Sequence, residues 1–405
     1  MSAPAPMNAI QVVAPAGGSV ERVFAARSAA PFSPERLAFV HELGRAIMRS
    51  PEARAMPELV ALGFWARPAN VQQMIPQAND TGLLRLARGL AFHIAPANVD
   101  TIFVYSLLLS VLAGNRNIVR ISSKESEQTG LLLRLIQDAL EQVGPDTRES
   151  LAIVRYEADR AINDYLSARC DLRLVWGGDA TIATLRQSPL APHATELNFP
   201  NKLSGAVIDA AGWLALADRD EQARRFSNDA LWFGQQACSS PRFIFWRGPE
   251  ALVQQAAEDF WTRVESAAAK ADLPWSPRAA VDKLVAEQLQ ASRGGTRIRS
   301  TMSNRVRVIQ ARSFETDDCL GAAEGFFVEA RIDALHDLLP LVQRLWQTIV
   351  SIGVPAADWQ AFLSEVRPHG IDRIVPAGAA LDFSKVWDGQ DLLDAMTRRV
   401  DLSRL

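Results

Sequence analysis

One thiol stands where a nucleophile could act. Cys238 lies in WFGQQACSSPRFIFW, residues 232–246, a short polar turn between an amphipathic run (221–233) and an alternating apolar run (242–246). Small residues and Pro241 fill the turn. A cysteine placed at the end of an element keeps its backbone N–H out of any ladder, a position that suits covalent catalysis on a rigid scaffold. The same residue also fits a small packed hydrophobe, a common role for reduced cysteine. Cys170 and Cys319 are far away in the chain, and no CxxC or Cys/His spacing occurs. Neither a zinc site nor a disulfide framework is therefore expected, and the metal assignment is none.

The second stretch with chemical potential is Gly177-Gly178-Asp179, which follows the apolar run 172–176 and opens a helical pattern through Leu185. A glycine turn from strand into helix exposes backbone N–H groups, and the helix dipole points with them at a bound phosphate. VWGGDAT lacks the GxGxxG spacing, so a plain tight turn remains an alternative.

The surrounding elements could position both sites. Residues 34–50 place Leu37, Val40, Leu43 and Ile47 on one helical face, and 57–65 continue a helical N-terminal layer. A short strand ends at Pro96, and the apolar run 101–114 predicts a buried helix, too short for a membrane span. A strand is expected over 117–122. Ser122 to Glu125 has the form of a capping box before the helix marked by Leu131, Leu132, Leu135, Ile136 and Leu140. Strands at 151–156 and 172–176, with a helix between them near 159–168, complete a βαβ succession and predict a parallel sheet covered by helices. After a polar connector from Pro192, a strand is expected at 206–209, then the Cys238 turn, a helix over 249–271 and a Pro-punctuated linker at 273–277. An Arg-rich region follows (Arg293, Arg297, Arg299, Arg305, Arg307, Arg312). Its alternation in RVRVIQA predicts a strand with a solvated basic face, or a docking face for an acidic carrier or coenzyme A phosphates. A helix over 334–352 and a tail close the chain.

With 405 residues, 48% hydrophobic and 22% charged, the chain is expected to form two globular domains. A net charge of -3 leaves no cationic excess for nucleic acid. The N-terminus lacks a basic and apolar signal pattern, and a reducing cytoplasm is expected.

Four stretches occur together in order: HIAPANV (93–99), AGNRNIV (113–119), FGQQACSSP (233–241) and RIVPAGAALDFSKVWDGQDLL (373–393). Over about residues 35–405 the chain resembles the aldehyde dehydrogenase superfamily and, within it, the LuxC-like acyl-CoA reductases known from bacterial bioluminescence. The resemblance implies an α/β, aldehyde dehydrogenase-like fold with a Rossmann-type parallel-sheet cofactor domain and an α/β catalytic domain. The expected division is a partly ordered lead (1–34), an NADP-binding domain with a helical N-terminal layer (35–204), a catalytic domain carrying Cys238 (205–370) and a tail (371–405).

The resemblance also implies roles for individual residues. Cys238 matches the nucleophile. Asn98 matches the oxyanion-holding asparagine, with Ala97 where the family usually has tryptophan. Arg120 matches the basic residue that reaches the adenosine ribose. Ser123 stands where NAD-preferring relatives carry a glutamate, and Lys124 follows it. Cations without that carboxylate favour a 2′-phosphate, so NADPH is the expected cofactor. Gly177, Gly178 and Thr181 match the pyrophosphate turn, and Glu324 the nicotinamide-ribose glutamate. Glu196 sits where hydrolytic members activate water, although the glycines that usually follow are replaced. His93 and His193 read as structural residues.

The implied activity is NADPH-dependent reduction of an acyl thioester, on coenzyme A or an acyl-carrier protein, to the aldehyde through a Cys-bound acyl-enzyme. Oxidation of an aldehyde to acid or thioester is the first alternative, and a catalytically degenerate scaffold for an acyl-transferring partner the second. The implied partners are an acyl-protein synthetase or acyltransferase subunit and further copies of the chain, with no nucleic acid and no membrane span.

Overall fold

In a parallel sheet covered on both faces the inner strands read as nearly continuous apolar runs, and two sets of such strands organise the protein. The computed structural model describes residues 9–75, 83–96, 101–271, 273, 276–293, 296–299, 303–311, 313–319 and 323–402. The chain divides into two units: Met1–Asn201 with Phe383–Leu405, and Lys202–Asp382. The segment expected as one tail from residue 371 is thus shared between them.

The strands of the first unit are β1 (Gln11–Ala14), β2 (Leu83–Ala87), β3 (Leu90–Ile94), β4 (Arg116–Arg120), β5 (Leu151–Arg155), β6 (Leu172–Trp176) and β7 (Thr195–Phe199). One sheet has the order β1-β5-β4-β3-β6-β7. Its four pairings from β5 to β7 are parallel, and β1 closes one edge antiparallel to β5. Strand order reverses between β3 and β6, the switch point of a doubly wound sheet, outside whose carboxyl ends ligands bind. β3 and β6 are buried at every residue. The helix expected after Pro96 is Thr101–Leu112, and Arg160–Ser167 connects β5 to β6. Pro34–Arg49 packs against Pro57–Trp65 and Glu127–Glu141 as a helical layer.

Three expectations change in this unit. The Ser122 capping box is not formed: the cap is Ser126, whose Oγ accepts from Thr129 N at 2.9 Å, and the helix is Glu127–Glu141. The connector after Pro192 contains β7, because Leu197 and Phe199 alternate with polar residues and bury one face. The lead contains β1, and β2 pairs antiparallel with the strand Thr397–Asp401.

In the second unit the strands are β8 (Leu203–Asp209), β9 (Pro241–Arg247), β10 (Thr296–Arg299), β11 (Arg307–Ala311), β12 (Phe326–Ile332), β13 (Trp346–Ile352) and β14 (Arg373–Val375). The sheet order is β10-β11-β12-β9-β8-β13-β14, parallel except for the edge strand β10. The period-2 alternation of β9 divides the core: Phe243 and Phe245 join Trp346, Phe314 and Phe362 on one face, while Ile244 and Trp246 join Trp213, Phe226 and Phe260 on the other. Gly205 of β8 leaves the space that the Phe243 ring occupies.

The helix expected over 334–352 is a 3-10 turn, Leu335–Leu338, followed by β13. The leucine spacing sustains one turn, Pro340 lacks the N–H to continue it, and Trp346–Ile352 is aromatic and β-branched and is buried on both faces. The basic face of β11 is also corrected. Arg307 pairs at 2.9 Å with Glu287, and Arg299 at 2.6 Å with the buried Glu329, so these guanidinium groups neutralise internal carboxylates.

Among the described residues no helix is long and apolar enough to cross a membrane. His93 of β3 is buried, with Nδ1 2.9 Å from Ser106 Oγ and Nε2 3.1 Å from Asn117 Oδ1. Asn117 donates its own Nδ2 to Asn115 O, so its Oδ1 faces the ring and the neutral Nε2–H tautomer satisfies both bonds. Burial lowers His93 to about 4. The unfolded chain therefore takes up a proton below about pH 6.5 that the folded chain refuses until about pH 4. Stability is expected to fall as pH drops through that window, by up to about 1.4 kcal/mol per pH unit from this residue. Urea unfolding of His93→Gln between pH 7 and pH 4.5 should show a correspondingly flatter dependence; equal slopes would remove the assignment.

Candidate active site

The helix Arg219–Leu231 runs into the 3-10 turn Trp232–Gln235, and there the backbone turns left-handed for three residues in succession: Phe233 (φ 56°), Gly234 (φ 58°) and Gln235 (φ 61°). Such angles cost about 1 kcal/mol or more at a residue with a Cβ, so the surroundings must hold them. The Gln235 side chain does this from a fully buried position. Its Nε2 donates to Pro241 O at 2.8 Å and Phe326 O at 3.0 Å. Its Oε1 accepts from Gly325 N at 2.9 Å and Phe326 N at 3.1 Å. Arg242 Nη2 adds a bond to Gln235 O at 3.0 Å.

Cys238 follows, half-buried, just before the amino end of β9. Ser204 of β8 donates its hydroxyl to Cys238 O at 2.6 Å and accepts Thr348 N of β13 at 3.0 Å. Gln347 of β13 donates its side-chain Nε2 to the Cys238 sulfur at 3.4 Å. The thiol is therefore held where the amino ends of β8, β9 and β13 converge. Glu324 borders the same loop: its N–H donates to Gly234 O at 3.1 Å, and its carboxylate accepts from Ser276 N and Oγ at 3.2 Å. Lys283 Nζ donates to Glu324 O at 2.7 Å and Asn304 O at 2.6 Å, and burial lowers it to about 8 against the attraction of Glu324. Gln347, Ser204 and Lys283 carry no signal in the sequence. Gln235 stands in FGQQACSSP, one of the stretches that carry the family resemblance.

The other two thiols are buried. Burial pushes Cys170 up to about 12, and its Sγ donates to Ser167 O at 3.3 Å; Cys319 is equally inaccessible. No disulfide joins any of the three.

The remaining expected residues belong to the first unit. Arg120 ends β4 with its guanidinium 4.9 Å from the centre of the Tyr156 ring, and Ser123 and Lys124 are exposed in the loop beyond. Gly177 and Gly178 follow β6, and Thr181 N donates to Gly178 O at 2.9 Å. A Cβ at Gly177 would lie 3.2 Å from Thr181 Cγ2, and one at Gly178 3.1 Å from Asn201 Oδ1, so larger residues would crowd this turn. Since β4 and β6 flank β3, the Arg120 end and the glycine turn lie on either side of the switch point. A guanidinium on one side and a glycine turn entering a helix on the other suit dinucleotide phosphates. Asn98 lies outside the described residues.

Glu196 is on β7, opposite Arg173 of β6. Burial pushes its carboxyl up, but hydrogen bonds from Asn198, Arg173 and Arg186 outweigh this and hold it below the usual range. His193 is exposed, 3.6 Å from Asp171. Among the described residues no group of three His, Cys, Asp or Glu could hold a metal ion.

A family profile described as acyl-CoA reductase (LuxC) matches residues 76–399. The long-chain acyl-protein thioester reductase of Photorhabdus laumondii is 23% identical over 318 residues, which cover 76% of this chain and 62% of that protein. The protein of the same name from Aliivibrio fischeri is 25% identical over 162 residues, 40% of this chain and 32% of its own length. The matched stretches thus span between about a third and three-fifths of these relatives. Among solved structures, a lactaldehyde dehydrogenase superposes with a TM-score of 0.69 at 12% identity, over 96% of this chain and 91% of its own. An NAD-dependent benzaldehyde dehydrogenase from Corynebacterium glutamicum gives 0.62 at 14%, over 92% and 87%. The fold is that of the aldehyde dehydrogenases.

Two outcomes follow from this geometry. Native protein treated with iodoacetamide should be modified at Cys238, with Cys170 and Cys319 labelled only after denaturation, as read by peptide mass spectrometry. Gln235→Leu should lose about 3 kcal/mol or more in urea unfolding, since it strands four buried backbone bonds. Gln236→Ala, at the exposed neighbour, should change stability by less than about 0.5 kcal/mol.

Proposed function

The chain belongs to the LuxC family of acyl-CoA reductases, and on that premise we propose that it reduces an acyl thioester to the aldehyde with NADPH. The observation that carries the reading is the clamped, half-buried Cys238 with an amide donor on its sulfur, whereas Cys170 and Cys319 are both buried.

In this reading the Cys238 thiolate attacks the thioester carbonyl carbon. The side-chain amide of Asn98 and the N–H of Cys238 receive the oxyanion, as donors aimed at charge that exists only after attack. Collapse expels the coenzyme A or carrier-protein thiolate, which takes up a proton, and leaves an acyl group on Cys238. Bound NADPH supplies a hydride for that acyl carbon. The thiohemiacetal oxyanion then re-forms a carbonyl, the C–S bond breaks, and the aldehyde leaves with the electron pair returned to Cys238.

Arg120, Ser123 and Lys124 are proposed to hold the 2′-phosphate, where an exposed serine in place of a carboxylate removes repulsion. Gly177, Gly178 and Thr181 are proposed for the pyrophosphate, and Glu324 for the nicotinamide ribose. No water-activating step is assigned to Glu196. Its carboxylate is occupied by Arg173, Arg186 and Asn198, and hydrolysis would divert the acyl-enzyme to acid. A cytoplasmic setting, self-association and an acyl-transferring partner subunit belong to the same proposal.

The test is NADPH oxidation with trapping of free aldehyde across acyl-CoA and acyl-carrier substrates. NADPH should outperform NADH, Cys238→Ala should abolish turnover, and Asn98→Ala should lower it about a hundredfold or more. Wild-type rates in Cys238→Ala, or acid formation from aldehyde without a thiol acceptor as the main activity, would overturn the reading.

A further inference from the structure

The Cys238 sulfur is met by a side chain from a strand far away in the chain. Gln347 is the second residue of β13, 4% exposed, between the fully buried Trp346 and Thr348. Its Nε2 lies 3.4 Å from Cys238 Sγ, an ordinary N–H···S separation. Its Oε1 accepts from Thr348 Oγ1 at 3.3 Å, which turns the amide so that hydrogen, not oxygen, faces the sulfur. The distance does not depend on loop position alone. Through Ser204, the N–H of Thr348 also fixes the carbonyl of Cys238, so two consecutive residues of β13 hold the cysteine at two points.

We propose that Gln347 is a further catalytic residue: its amide N–H stabilises negative charge on the Cys238 sulfur both when the thiolate attacks and when it leaves. The inference rests on Cys238 being the nucleophile. A neutral amide donor binds a thiolate more strongly than a thiol or a thioester sulfur, because only the thiolate carries full charge. In the attack step it raises the fraction of ionised sulfur. In the final step the C–S bond breaks and its electron pair moves to sulfur, and the same donor receives that charge.

The charged groups on the neighbouring elements have partners of their own. Lys202, ahead of β8, pairs with Asp372, ahead of β14, at 2.7 Å. Arg242 of β9 donates to Gln235 O and Cys319 O. Glu324 accepts from Ser276, and Lys283 donates to backbone carbonyls.

The test is the pH profile of Cys238 alkylation by iodoacetamide, followed on the Cys238 peptide in the full chain. It uses the wild type, Gln347→Met, which keeps the length and loses the donor, and Gln347→Glu, which keeps the shape and adds a carboxylate. The midpoint should rise by about one pH unit in Gln347→Met, a tenfold loss of alkylation rate at neutral pH, and further in Gln347→Glu. Superimposable profiles for wild type and Gln347→Met would overturn the proposal, as would a Gln347→Glu midpoint at or below that of the wild type. Because alkylation needs neither thioester nor cofactor, a failure of the proposed reductase activity would not be mistaken for a failure here.

Discussion

A primary amide can satisfy four backbone groups at once, and the loop that carries Cys238 depends on one that does. Gln235 presents two hydrogens to Pro241 O and Phe326 O and one oxygen to Gly325 N and Phe326 N, all out of reach of water. Three left-handed residues in a row store strain that an unsupported chain would release by unwinding the turn. The amide prevents this, because any unwinding would leave four buried polar groups without partners. The position of the thiol is thus set by a buried polar contact between the turn and the amino end of β12, and not by the loop's own preference.

The sheet extends that control. Ser204 lies at the amino end of β8 and Gln347 and Thr348 at that of β13, so the cysteine, three residues ahead of β9, is contacted from the amino ends of two neighbouring parallel strands. These strands are apolar on both faces, packed between the Trp213–Phe226–Phe260 cluster and the Phe243–Phe245–Trp346 cluster. Close packing of that kind leaves little freedom for relative shift of the strand ends. Polar side chains confined to those ends then act on the sulfur and carbonyl of one residue from a rigid frame.

Much of this was legible in the sequence, and the rest was hidden for identifiable reasons. The Cys238 turn showed itself by its small residues between a helical and an alternating run, and the βαβ succession by the change of period from two to nearly four. The glycine turn after β6 was legible for the same reason. Gln347 was not, because it meets Cys238 across 109 residues and its neighbours look like any buried strand. The stretch 334–352 was misleading because Leu335, Leu338 and Leu339 imitate one helical turn, whereas the β-branched run that follows is decided by burial in the sheet. The arginines around β11 looked solvated because Glu287 and Glu329, which neutralise them, lie on other elements.

Glu196 shows how tertiary context gives a charged residue a physical task that its motif does not announce. Arg173, on the adjacent strand, is 2% exposed, and a guanidinium at that depth costs several kcal/mol unless a carboxylate and further acceptors surround it. Glu196 supplies the carboxylate, with Ser167 Oγ and Ser188 O completing the acceptors. Arg186 and Asn198 engage its other oxygen. A carboxylate held by this many donors has its proton affinity lowered, the opposite of what a base must offer to draw a proton from water. The cluster therefore argues for charge compensation between β6 and β7 as the reason a glutamate occupies this position.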